Sequence, residues 1–316
     1  MEERLLALLK LALKYHASDI HFLVVKNECS IEMRVDGKCR KVKGKAQDYK
    51  LVRYLQYLSN LDVGMITKPQ TGQFEMDVEG NLLSLRFAII HELNMINGVL
   101  RILNSRINLS VHSLSLLDFQ NRYLERILKK PNGLIIFSGP TGSGKTTSVY
   151  TLLKHIKGKK IFSVEDPIEV YHDEFVQLSI NESTGFDYSK AVEQILRHDP
   201  DIIMIGEIRE AKAARWAVNA ANTGHLVLTT IHTSKASGCI SRMKELGVSE
   251  DYIYENLICL INQRMMYNVK TRKKQVLFEI MDAREIEYFR EHGRNSKDFL
   301  SIDRQIEMGI KDGLFT

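Results

Sequence analysis

The sequence predicts a two-domain protein in which a small α+β domain precedes a larger α/β domain. Length is the first reason, because a chain of 316 residues exceeds the roughly 250–300 residues at which a single core stops growing. The second reason is a change of pattern near residue 116, where short alternating strands give way to buried apolar strands separated by helices. The third is a glycine-rich segment, residues 139–146, placed between one such strand and one such helix.

Composition narrows the class of protein further. With 44% hydrophobic residues, 26% charged residues and 5 prolines, the chain lies near the globular average, which excludes disordered, collagen-like and low-complexity proteins. Lys and Arg total 44 against 39 Asp and Glu, so the net charge is +5. That charge is compatible with phosphate ligands or an anionic surface, but it is smaller than the positive charge typical of nucleic-acid-binding proteins. We therefore expect no direct nucleic-acid partner.

The cysteines and the start of the chain indicate the compartment. Cys29, Cys39, Cys239 and Cys259 include no C-x-x-C pair, so the sequence predicts no zinc and no disulfide framework, and a reducing cytosol suits it. The first residues are charged and form no signal-peptide core, and no stretch of about 18 apolar residues occurs. We therefore expect a cytoplasmic protein whose link to a membrane goes through a partner.

Residues 1–104 form the predicted α+β domain. Apolar side chains recur at helical spacing over Arg4–Tyr15, which predicts an amphipathic helix. Alternating runs predict the strands Ile20–Val25, Ser30–Val35 and Leu82–Ile90. Asp36-Gly37 marks a hairpin turn after the second strand. A polar stretch that is poor in strong helix formers, residues 105–115, is the predicted linker.

Residues 116–276 form the predicted α/β domain. Its buried strands are Leu134–Ser138, Lys160–Val164, Phe175–Leu178, Ile202–Ile205 and Leu226–Ile231. Its helices are Leu116–Lys129, Thr146–Lys157, Ser189–Arg197 and Ala211–Thr223. Strands that alternate with helices in this way are typical of an α/β fold. Residues 277–316 have a short, charged, helical pattern and form the predicted C-terminal helical tail.

The strongest chemical signal is a P-loop. The pattern G-x-x-x-x-G-K-[ST] is matched by Gly139, Pro140, Thr141, Gly142, Ser143, Gly144, Lys145 and Thr146, with Thr147 next. Glycines let backbone N–H groups curl around phosphate oxygens, and the helix N-terminus adds partial positive charge. Lys145 can reach the β and γ phosphates, and the Thr146 hydroxyl can hold Mg²⁺. The motif therefore predicts nucleotide binding.

A strand that ends in a carboxylate is the second signal. Gly206 and Glu207 follow the apolar run after Asp201, which is the arrangement of a Walker B element beside a P-loop strand. Gly206 stands where most P-loop NTPases carry the aspartate of this element, so Glu207 serves alone at that strand end. Because phosphoryl transfer depends mainly on positioning and electrostatics, Glu207 is the predicted group that orients or deprotonates water.

Two further segments lie at the ends of predicted strands. Glu165, Asp166 and Glu169 surround a proline after one strand, where carboxylates face the ligand crevice of a parallel sheet. A solvated acidic turn accounts for the same cluster about equally well. His225 precedes and His232 follows another buried strand, and His232 is placed to sense the γ phosphate. An isolated histidine, however, is more often structural than catalytic.

Together these motifs resemble those of the secretion and type IV pilus ATPase superfamily. The likeness is carried, in chain order, by GPTGSGKTT, VEDPIE, RHDPDIIMIGEIRE and GHLVLTTIHT. They correspond to the family's Walker A motif, Asp box, Walker B motif and His box. ASDIH, which begins at Ala17, resembles the family's N-terminal signature, so the likeness runs from about residue 17 to about residue 265.

The resemblance implies a hexameric cytoplasmic ATPase, associated peripherally with the inner face of the cell membrane, that drives a pilus or secretion machine. It implies a PAS-like N-terminal domain and a RecA-like P-loop ATPase domain that close on ATP and Mg²⁺. The implied partners are further copies of the chain, a polytopic inner-membrane platform protein and, indirectly, pilins.

The resemblance also assigns roles to single residues. Glu165 and Glu169 become candidates for positioning Mg²⁺ or water, and His225 and His232 become residues of the His box. The resemblance thus strengthens the case for both histidines, each of which would by itself more often be structural.

Arginines of the N-terminal domain reach the phosphates in relatives, and the matching positions here are Arg86 and Arg101. A guanidinium suits that task because it binds phosphate oxygens in pairs and keeps its charge. Many relatives carry another arginine where this chain has Glu193, which leaves Arg197 and Arg209 as the charges nearby. The resemblance therefore does not support a second arginine finger between subunits.

Two departures from the family pattern refine the assignment. No tetracysteine zinc module follows the His box, and no motif like the A-I-R-N-L-I-R-E of retraction motors occurs between Leu277 and Thr316. The chain therefore most resembles ATPases that assemble the competence pseudopilus for DNA uptake in Gram-positive bacteria. The alternative is a pilus retraction motor or a type II secretion ATPase of the same superfamily.

An unrelated P-loop protein is the remaining class. A helicase needs a basic and aromatic groove for single strands, but Trp216 is the only tryptophan, and no cluster of Lys and Arg residues lies beside aromatic residues apart from the generic Arg53-Tyr54. A small-molecule kinase needs a second substrate pocket, for which the sequence shows no candidate.

Overall fold

The computed structural model describes residues 1–35, 37–65, 68–103, 109–168, 170–181 and 185–315. Contacts between residues divide the chain into two compact units, residues 1–107 and residues 108–316. The division lies inside the segment 105–115 for which the sequence predicts a linker. Asp36 of the predicted hairpin turn lies outside the described residues.

In its described residues, the first unit is an antiparallel sheet with two helices. Its strands are β1 (Asp19–Val25), β2 (Glu28–Val35), β3 (Lys38–Val42), β4 (Gln70–Val78), β5 (Asn81–Glu92) and β6 (Met95–Leu103). Its helices are α1 (Glu2–Lys14) and α2 (Tyr49–Leu58). The strands stand in the order β3-β2-β1-β6-β5-β4, and every neighbouring pair is antiparallel.

Alternating burial explains how this sheet builds its core. Along β1, Ile20, Phe22 and Val24 are buried in the core, because successive side chains of a strand point to opposite faces. Leu5 and Leu9 of α1 join the same core, one helical turn apart. The sequence-based prediction includes α1, β1, β2 and β5 but not α2, β3, β4 and β6. Polar residues interrupt the apolar pattern of the three strands, whereas α2 has a helical pattern that this prediction misses.

The second unit is a larger sheet with helices on both faces. Its strands are β7 (Gly133–Ser138), β8 (Ile161–Glu165), β9 (Val176–Ser179), β10 (Ile202–Ile205), β11 (Leu226–Ile231), β12 (Leu257–Asn268) and β13 (Lys273–Met281). Its helices are α3 (Asp118–Ile127), α4 (Lys145–His155), α5 (Tyr188–Leu196), α6 (Ala211–Asn222), α7 (Gly238–Glu245), α8 (Glu250–Asn256), α9 (Ala283–His292) and α10 (Ile302–Lys311). The strand order is β13-β12-β7-β11-β10-β8-β9. Among these described strands, β12 and β13 pair antiparallel and every other neighbouring pair is parallel.

Buried side chains on both sides of the central strands explain this layering. On β7, Leu134 and Ile136 belong to a core shared with α5, α6 and α7, while Ile135 and Phe137 belong to a core shared with α3 and α4. A strand buried on both faces forms a continuous apolar run, which is why the sequence predicts the central strands well. The predicted α/β class is confirmed.

The hairpin at one edge of the sheet corrects the prediction. The sequence does not predict β12 and β13, because buried polar residues such as Asn262, Gln263 and Glu279 interrupt their apolar runs. The predicted start of the tail at residue 277 is wrong, because β13 continues to Met281. The tail consists of α9 and α10, and Phe315 beyond them is buried in a small core with Leu277.

Two expectations concern the surroundings of the chain. Burial raises the pKa of the Cys239 thiol to about 11 and of the Cys259 thiol to about 12, so both stay protonated near neutral pH. That the protein needs no zinc stays a prediction. None of the described helices combines the length and the apolar character that crossing a membrane requires.

Candidate nucleotide site

The P-loop connects the carboxyl end of β7 to the start of α4. Gly139, Gly142 and Gly144 have φ values of 140°, 78° and 85°, a region that favours glycine over residues with a side chain. At Gly139 a Cβ atom would lie 2.3 Å from the carbonyl oxygen of Gln263. The loop therefore needs glycine both for its turn and for its close approach to β12.

Gln263 on β12 supports the loop. Its buried Nε2 donates to the carbonyl oxygen of Ser143 at 2.6 Å. β12 brings the amide there because Asn262 lies opposite Ser138, the last residue of β7, in the parallel pairing. No motif marks Gln263 in the sequence, so sequence reasoning misses this contact.

Lys145 is the buried cation of the site. Only 7% of its surface is exposed, and Nζ donates to the carbonyl oxygens of Gly139 and Pro140 at 2.9 and 3.1 Å. Burial lowers the pKa of Lys145, and the negative charge of Glu207 opposes this effect. The ammonium group is thus held inside the loop, where phosphate oxygens can replace the carbonyl groups as stronger partners.

Glu207 and His232 form a bonded pair beside the loop. They follow β10 and β11, which are parallel neighbours, so both side chains emerge at the same edge of the sheet. His232 Nε2 lies 2.9 Å from Glu207 Oε1, and its Nδ1 lies 3.1 Å from the carbonyl oxygen of Gly139. Arg209 donates to Glu207 Oε2 at 2.7 Å. Both carboxylate oxygens are therefore held in a defined orientation next to the P-loop.

Thr230 fixes the turn that carries Glu207. Its hydroxyl donates to the carbonyl oxygen of Gly206 at 2.7 Å, and its carbonyl oxygen accepts the N–H of Ile208 at 2.8 Å. These two bonds flank Glu207. A Cβ atom at Gly206 would lie 3.3 Å from Glu165 Cγ, so the space beside this turn is tight. The sequence gives no signal for Thr230 beyond its place in the run before His232.

Glu165 lies at the end of β8 and is 3% exposed. Its carboxylate accepts hydrogen bonds from Ser163 Oγ at 2.7 Å and from Gln177 Nε2 at 3.0 Å. The hydroxyl of Tyr150, on α4, also donates to it. The carboxylate thus joins β8, β9 and the P-loop helix, and its contact with Mg²⁺ or water stays a prediction. Glu169 lies outside the described residues.

A cavity of about 230 Å³ opens between these groups. Thr146, Glu165 and Glu207 line it, so the hydroxyl and the carboxylates face one space. The hydroxyl of Ser143 is buried, and among the described residues it has no hydrogen-bond partner. A buried ammonium, loop N–H groups, an unused hydroxyl and carboxylate oxygens fit the phosphates and Mg²⁺ of a nucleotide.

His225 lies away from this site, contrary to the prediction. It precedes β11, and its carbonyl oxygen accepts the N–H of Gly133 at the start of β7. The P-loop follows the other end of β7, about 20 Å away at the usual rise of a strand. Nδ1 of His225 lies 3.1 Å from both Ala220 O and Thr223 Oγ1. These contacts suit a histidine that stabilises the end of α6.

Arg86 and Arg101 are partners in the register of β5 and β6 in the first unit. Arg101 Nε donates to Asp19 Oδ1 at 2.8 Å, and Arg34 Nε lies 3.8 Å from the other oxygen. Burial acts to raise the pKa of Asp19, but hydrogen bonds from Arg101 and Ser18 lower it overall. The side chain of Arg101 is 58% exposed, so its terminal amino groups remain accessible. That the two arginines reach phosphate stays a prediction.

Comparison with known families agrees with this site. The profile of the family described as "Type II/IV secretion system protein" matches residues 1–306. The chain belongs to the type II/IV secretion system protein family. The match includes both units, so the first unit resembles this family as the P-loop unit does.

Relatives in the type II/IV secretion family are similar over most of the chain. Competence protein ComGA of Bacillus subtilis strain 168 is 37% identical over 255 residues, which are 79% of this chain and 72% of that protein. ComGA of Halalkalibacterium halodurans is 31% identical over 326 residues, or 96% of this chain and 93% of its own length. Type II secretion system ATPase E of Vibrio cholerae is 34% identical over 265 residues, and this chain spans only 53% of it.

Solved structures share the fold. The pilus retraction motor PilT with bound ADP has a TM-score of 0.75 at 24% identity, and the alignment covers 98% of this chain and 94% of that one. The Legionella pneumophila ATPase DotB has a TM-score of 0.75 at 20% identity, covering 98% and 91%. At these identities the likeness concerns the fold, and the predicted RecA-like class is confirmed. The names of relatives in the type II/IV secretion family support an ATP-hydrolysing enzyme.

Proposed function

We propose that the chain hydrolyses ATP to power assembly of a competence pseudopilus, a type IV pilus-like machine for DNA uptake. The main support for ATP hydrolysis is that Lys145, Glu207 and His232 come together at the ends of three parallel strands. Similarity to two proteins named ComGA supports the choice of machine. The alternative is a retraction motor or a type II secretion ATPase. Either would hydrolyse ATP with the same site, but the hydrolysis would power pilus retraction or protein secretion.

The P-loop residues bind the substrate. Backbone N–H groups of residues 141–146 and the positive end of α4 hold the phosphate oxygens, and Lys145 pairs with the β and γ phosphates. The Thr146 hydroxyl is the protein ligand for Mg²⁺. When bound, Mg²⁺ supplies positive charge that stabilises the negative charge developing on the transferred phosphoryl group.

Glu207 acts on the attacking water. His232 and Arg209 each hold one carboxylate oxygen, so the side chain does not have to be ordered at the moment of reaction. The carboxylate accepts a hydrogen bond from the water and then its proton. Glu165 is fixed at the edge of the same cavity, where it positions Mg²⁺ or water.

Arg86 and Arg101 add positive charge beside the γ phosphate to that of Lys145 in the P-loop unit. Asp19 holds Arg101 through Nε, and in this proposal the two terminal amino groups make paired bonds to an anion. In this proposal residues 1–104 and 116–276 are domains joined by the linker 105–115. They close on ATP in a homo-hexamer that binds a polytopic platform protein at the inner face of the cell membrane.

The enzyme is tested by phosphate release from the purified full chain with ATP and Mg²⁺. We expect Lys145→Ala to lose both binding and hydrolysis, because the loop loses its cation. Lys154→Ala removes a lysine from the same helix, where Lys154 pairs with Glu174 at the surface, and should keep wild-type activity. If wild-type protein releases no phosphate at any concentration, the enzyme proposal is wrong.

The machine is tested in a deletion strain of the source bacterium. We expect loss of DNA uptake, restored by the wild-type chain but not by the Lys145→Ala variant. Pili that assemble but do not retract would favour the retraction motor. Normal DNA uptake together with a defect in protein secretion would favour the secretion ATPase.

A further inference from the structure

Glu279 is a buried carboxylate that lies outside the nucleotide cavity. It stands on β13 and is 5% exposed. Its Oε1 accepts the N–H of Ala236 at 2.9 Å, and its Oε2 accepts the N–H of Ile302 at 3.1 Å. In the described part of the chain, both of its hydrogen-bond partners are therefore backbone groups. One side chain thus joins the segment after His232 to the first residue of α10.

Two backbone N–H groups, one of them at the N-terminus of a helix, offset the cost of burying this charge. Ala236 lies just before α7, and Ile302 is the first residue of α10. The first N–H groups of a helix lack partners within the helix and carry partial positive charge. A carboxylate has two accepting oxygens and a negative charge, whereas an amide has one accepting oxygen and no charge. The site at Glu279 therefore calls for a carboxylate.

Asn262 holds the other end of the same segment. It lies opposite Glu279 in the register of β12 and β13. Its Nδ2 donates to the carbonyl oxygen of Thr233 at 3.1 Å and to Ser138 Oγ, at the end of the P-loop strand, at 2.9 Å. Residues 233–236 are thus bound at both ends by the hairpin. His232 directly precedes this segment, so the position of its ring depends on how the segment is held.

We propose that Glu279 is a positioning residue for His232, and that docking of α10 on Glu279 sets the distance between His232 and Glu207. The N–H of Ile302 holds Oε2, which keeps Oε1 directed at Ala236 and the segment in place. His232 Nε2 then stays within the 2.9 Å contact to Glu207. The inference rests on the proposed function, because it gives the C-terminal tail a role in hydrolysis by that pair.

The first test compares two glutamates that each bind a backbone N–H group. Glu279→Gln should lower kcat about tenfold while the KM for ATP stays within about twofold, because a small misplacement of a catalytic group costs rate rather than binding. Glu285→Gln is the matched control. Glu285 accepts the N–H and the hydroxyl of Ser296 at 2.8 and 2.6 Å within the tail, and this variant should keep wild-type kcat.

A second pair of variants removes the partner instead of the carboxylate. Ile302→Pro and Ile302→Ala both lose the buried side chain, but only proline also loses the N–H, and proline is accepted at the first position of a helix. We expect the proline variant to have a kcat several-fold below that of the alanine variant. Equal kcat values for the two would show that the N–H of Ile302 does not act on the site. This pair also decides the question if Glu279→Gln does not fold.

A double-mutant cycle tests whether the effect passes through His232. In a His232→Ala background, Glu279→Gln should cause no further loss of kcat, because the group that it positions is gone. The proposal is overturned if the loss persists in that background, if Glu279→Gln keeps wild-type kcat, or if Glu285→Gln loses as much.

Amide hydrogen exchange separates this inference from the proposed function. Glu279→Gln should speed exchange at Ala236 and shift the imidazole NMR signals of His232 in protein without nucleotide, and neither readout needs turnover. If the wild type hydrolyses no ATP but both signals change, the proposed enzyme fails while the contact stands. Unchanged exchange and unchanged imidazole signals would overturn the inference even in an active enzyme.

Discussion

At the scale of single residues, the site works through side chains held by fixed partners. Burial alone would disfavour the charge of Lys145, and it does lower the pKa of this residue against the pull of Glu207. A cation in that situation gains more from bound phosphates than an exposed one does. Glu207 is in the opposite position, since His232 and Arg209 already hold its two oxygens. Binding and hydrolysis are therefore separable by mutation.

Replacing Glu207 with Gln keeps the size of the side chain but removes its charge and its capacity to accept a proton. We expect kcat to fall about 10²-fold or more, while ATP affinity stays near that of the wild type because the P-loop is unchanged. Equilibrium binding of ATP and phosphate release measure the two effects. Glu245→Gln, a surface carboxylate paired with Arg242, is the control. Turnover at the wild-type rate would show that another group activates water, and Glu165 would be tested next.

Gly139 and Gly142 form a matched pair within the loop. At Gly139 an alanine Cβ would meet a backbone oxygen at 2.3 Å, whereas at Gly142 no atom lies within 4 Å. Both have positive φ, so Gly142→Ala should cost about 1 kcal/mol of strain, and Gly139→Ala about 2–4 kcal/mol because the clash adds to it. Fluorescence of Trp216, which lies on α6 of the P-loop unit, follows unfolding in urea. If the two variants lost the same free energy of unfolding, the loop would be able to move away from β12 at little cost.

At the scale of elements, the β12–β13 hairpin organises the site although it carries none of the motifs. Gln263 supports the loop, and Asn262 and Glu279 hold the segment after His232. Gln263 and Ser143 are 120 positions apart in the chain, so no local pattern links them. The central strands are predictable because each is a continuous apolar run. The hairpin is not, because the polar residues with which it contacts the site interrupt its apolar pattern.

The segment between β8 and β9 packs an aromatic cluster beside Glu165. The centroid of the His172 ring lies 4.5 Å from the centroid of the Tyr150 ring and 5.1 Å from that of the Phe175 ring. Burial, with a smaller contribution from the charge of Lys154, lowers the pKa of His172 from 6.5 to about 4. Tyr150 also donates to Glu165, so the cluster connects this histidine to the edge of the nucleotide cavity.

This histidine should make the stability of the P-loop unit depend on pH. Between pH 6.5 and about pH 4 the unfolded chain binds a proton at His172 that the folded protein does not, so the free energy of unfolding falls as pH drops through that window. His172→Phe keeps an aromatic ring without a titrating group. Between pH 6.5 and about pH 4 the free energy of unfolding of this variant should fall by about 1 kcal/mol less than that of the wild type. The difference stays this small because water screens the half-buried charge. Urea unfolding at several pH values, followed by Trp216 fluorescence, measures this. Parallel stability curves would contradict it.

At the scale of the whole molecule, the two units carry complementary parts of the proposed chemistry. The P-loop unit provides the loop, the hydroxyl for Mg²⁺ and the carboxylate for water. The first unit presents Arg101, oriented by Asp19, and its neighbour Arg86. The family match over residues 1–306 includes both, which agrees with a motor whose cycle needs both units in each subunit.

Cooperation of units and subunits should appear in the kinetics. Arg101→Ala should lower hydrolysis about 10²-fold or more, because charge on the transferred phosphoryl group loses its partner, while nucleotide affinity changes little. Arg53→Ala, an exposed arginine on α2 of the same unit, should have no effect. Specific activity of the wild type should rise with protein concentration as rings form. Normal hydrolysis by the Arg86→Ala, Arg101→Ala variant, or full activity in a dilute monomer, would contradict this mechanism.

The sequence by itself determined the parts of this protein that depend on neighbouring residues. The P-loop, the strand that precedes Glu207 and the strand that precedes His232 are each contained in a short run. Their chemistry and their place at strand ends can therefore be inferred without a structure. The same reasoning fails for His225, which stands next to the same buried strand as His232 but at its other end. A parallel sheet places all strand C-termini at one edge and all N-termini at the other.

Only the tertiary structure decided which distant side chains meet these motifs. Gln263, Asn262 and Glu279 reach the loop and the His232 segment because β12 pairs with β7 in one particular register. Thr230 reaches the turn at Gly206 because β11 lies beside β10. Register and strand order depend on the packing of the whole core, in which contacts between residues far apart in the chain outweigh local preference. No local pattern in the sequence contains that information.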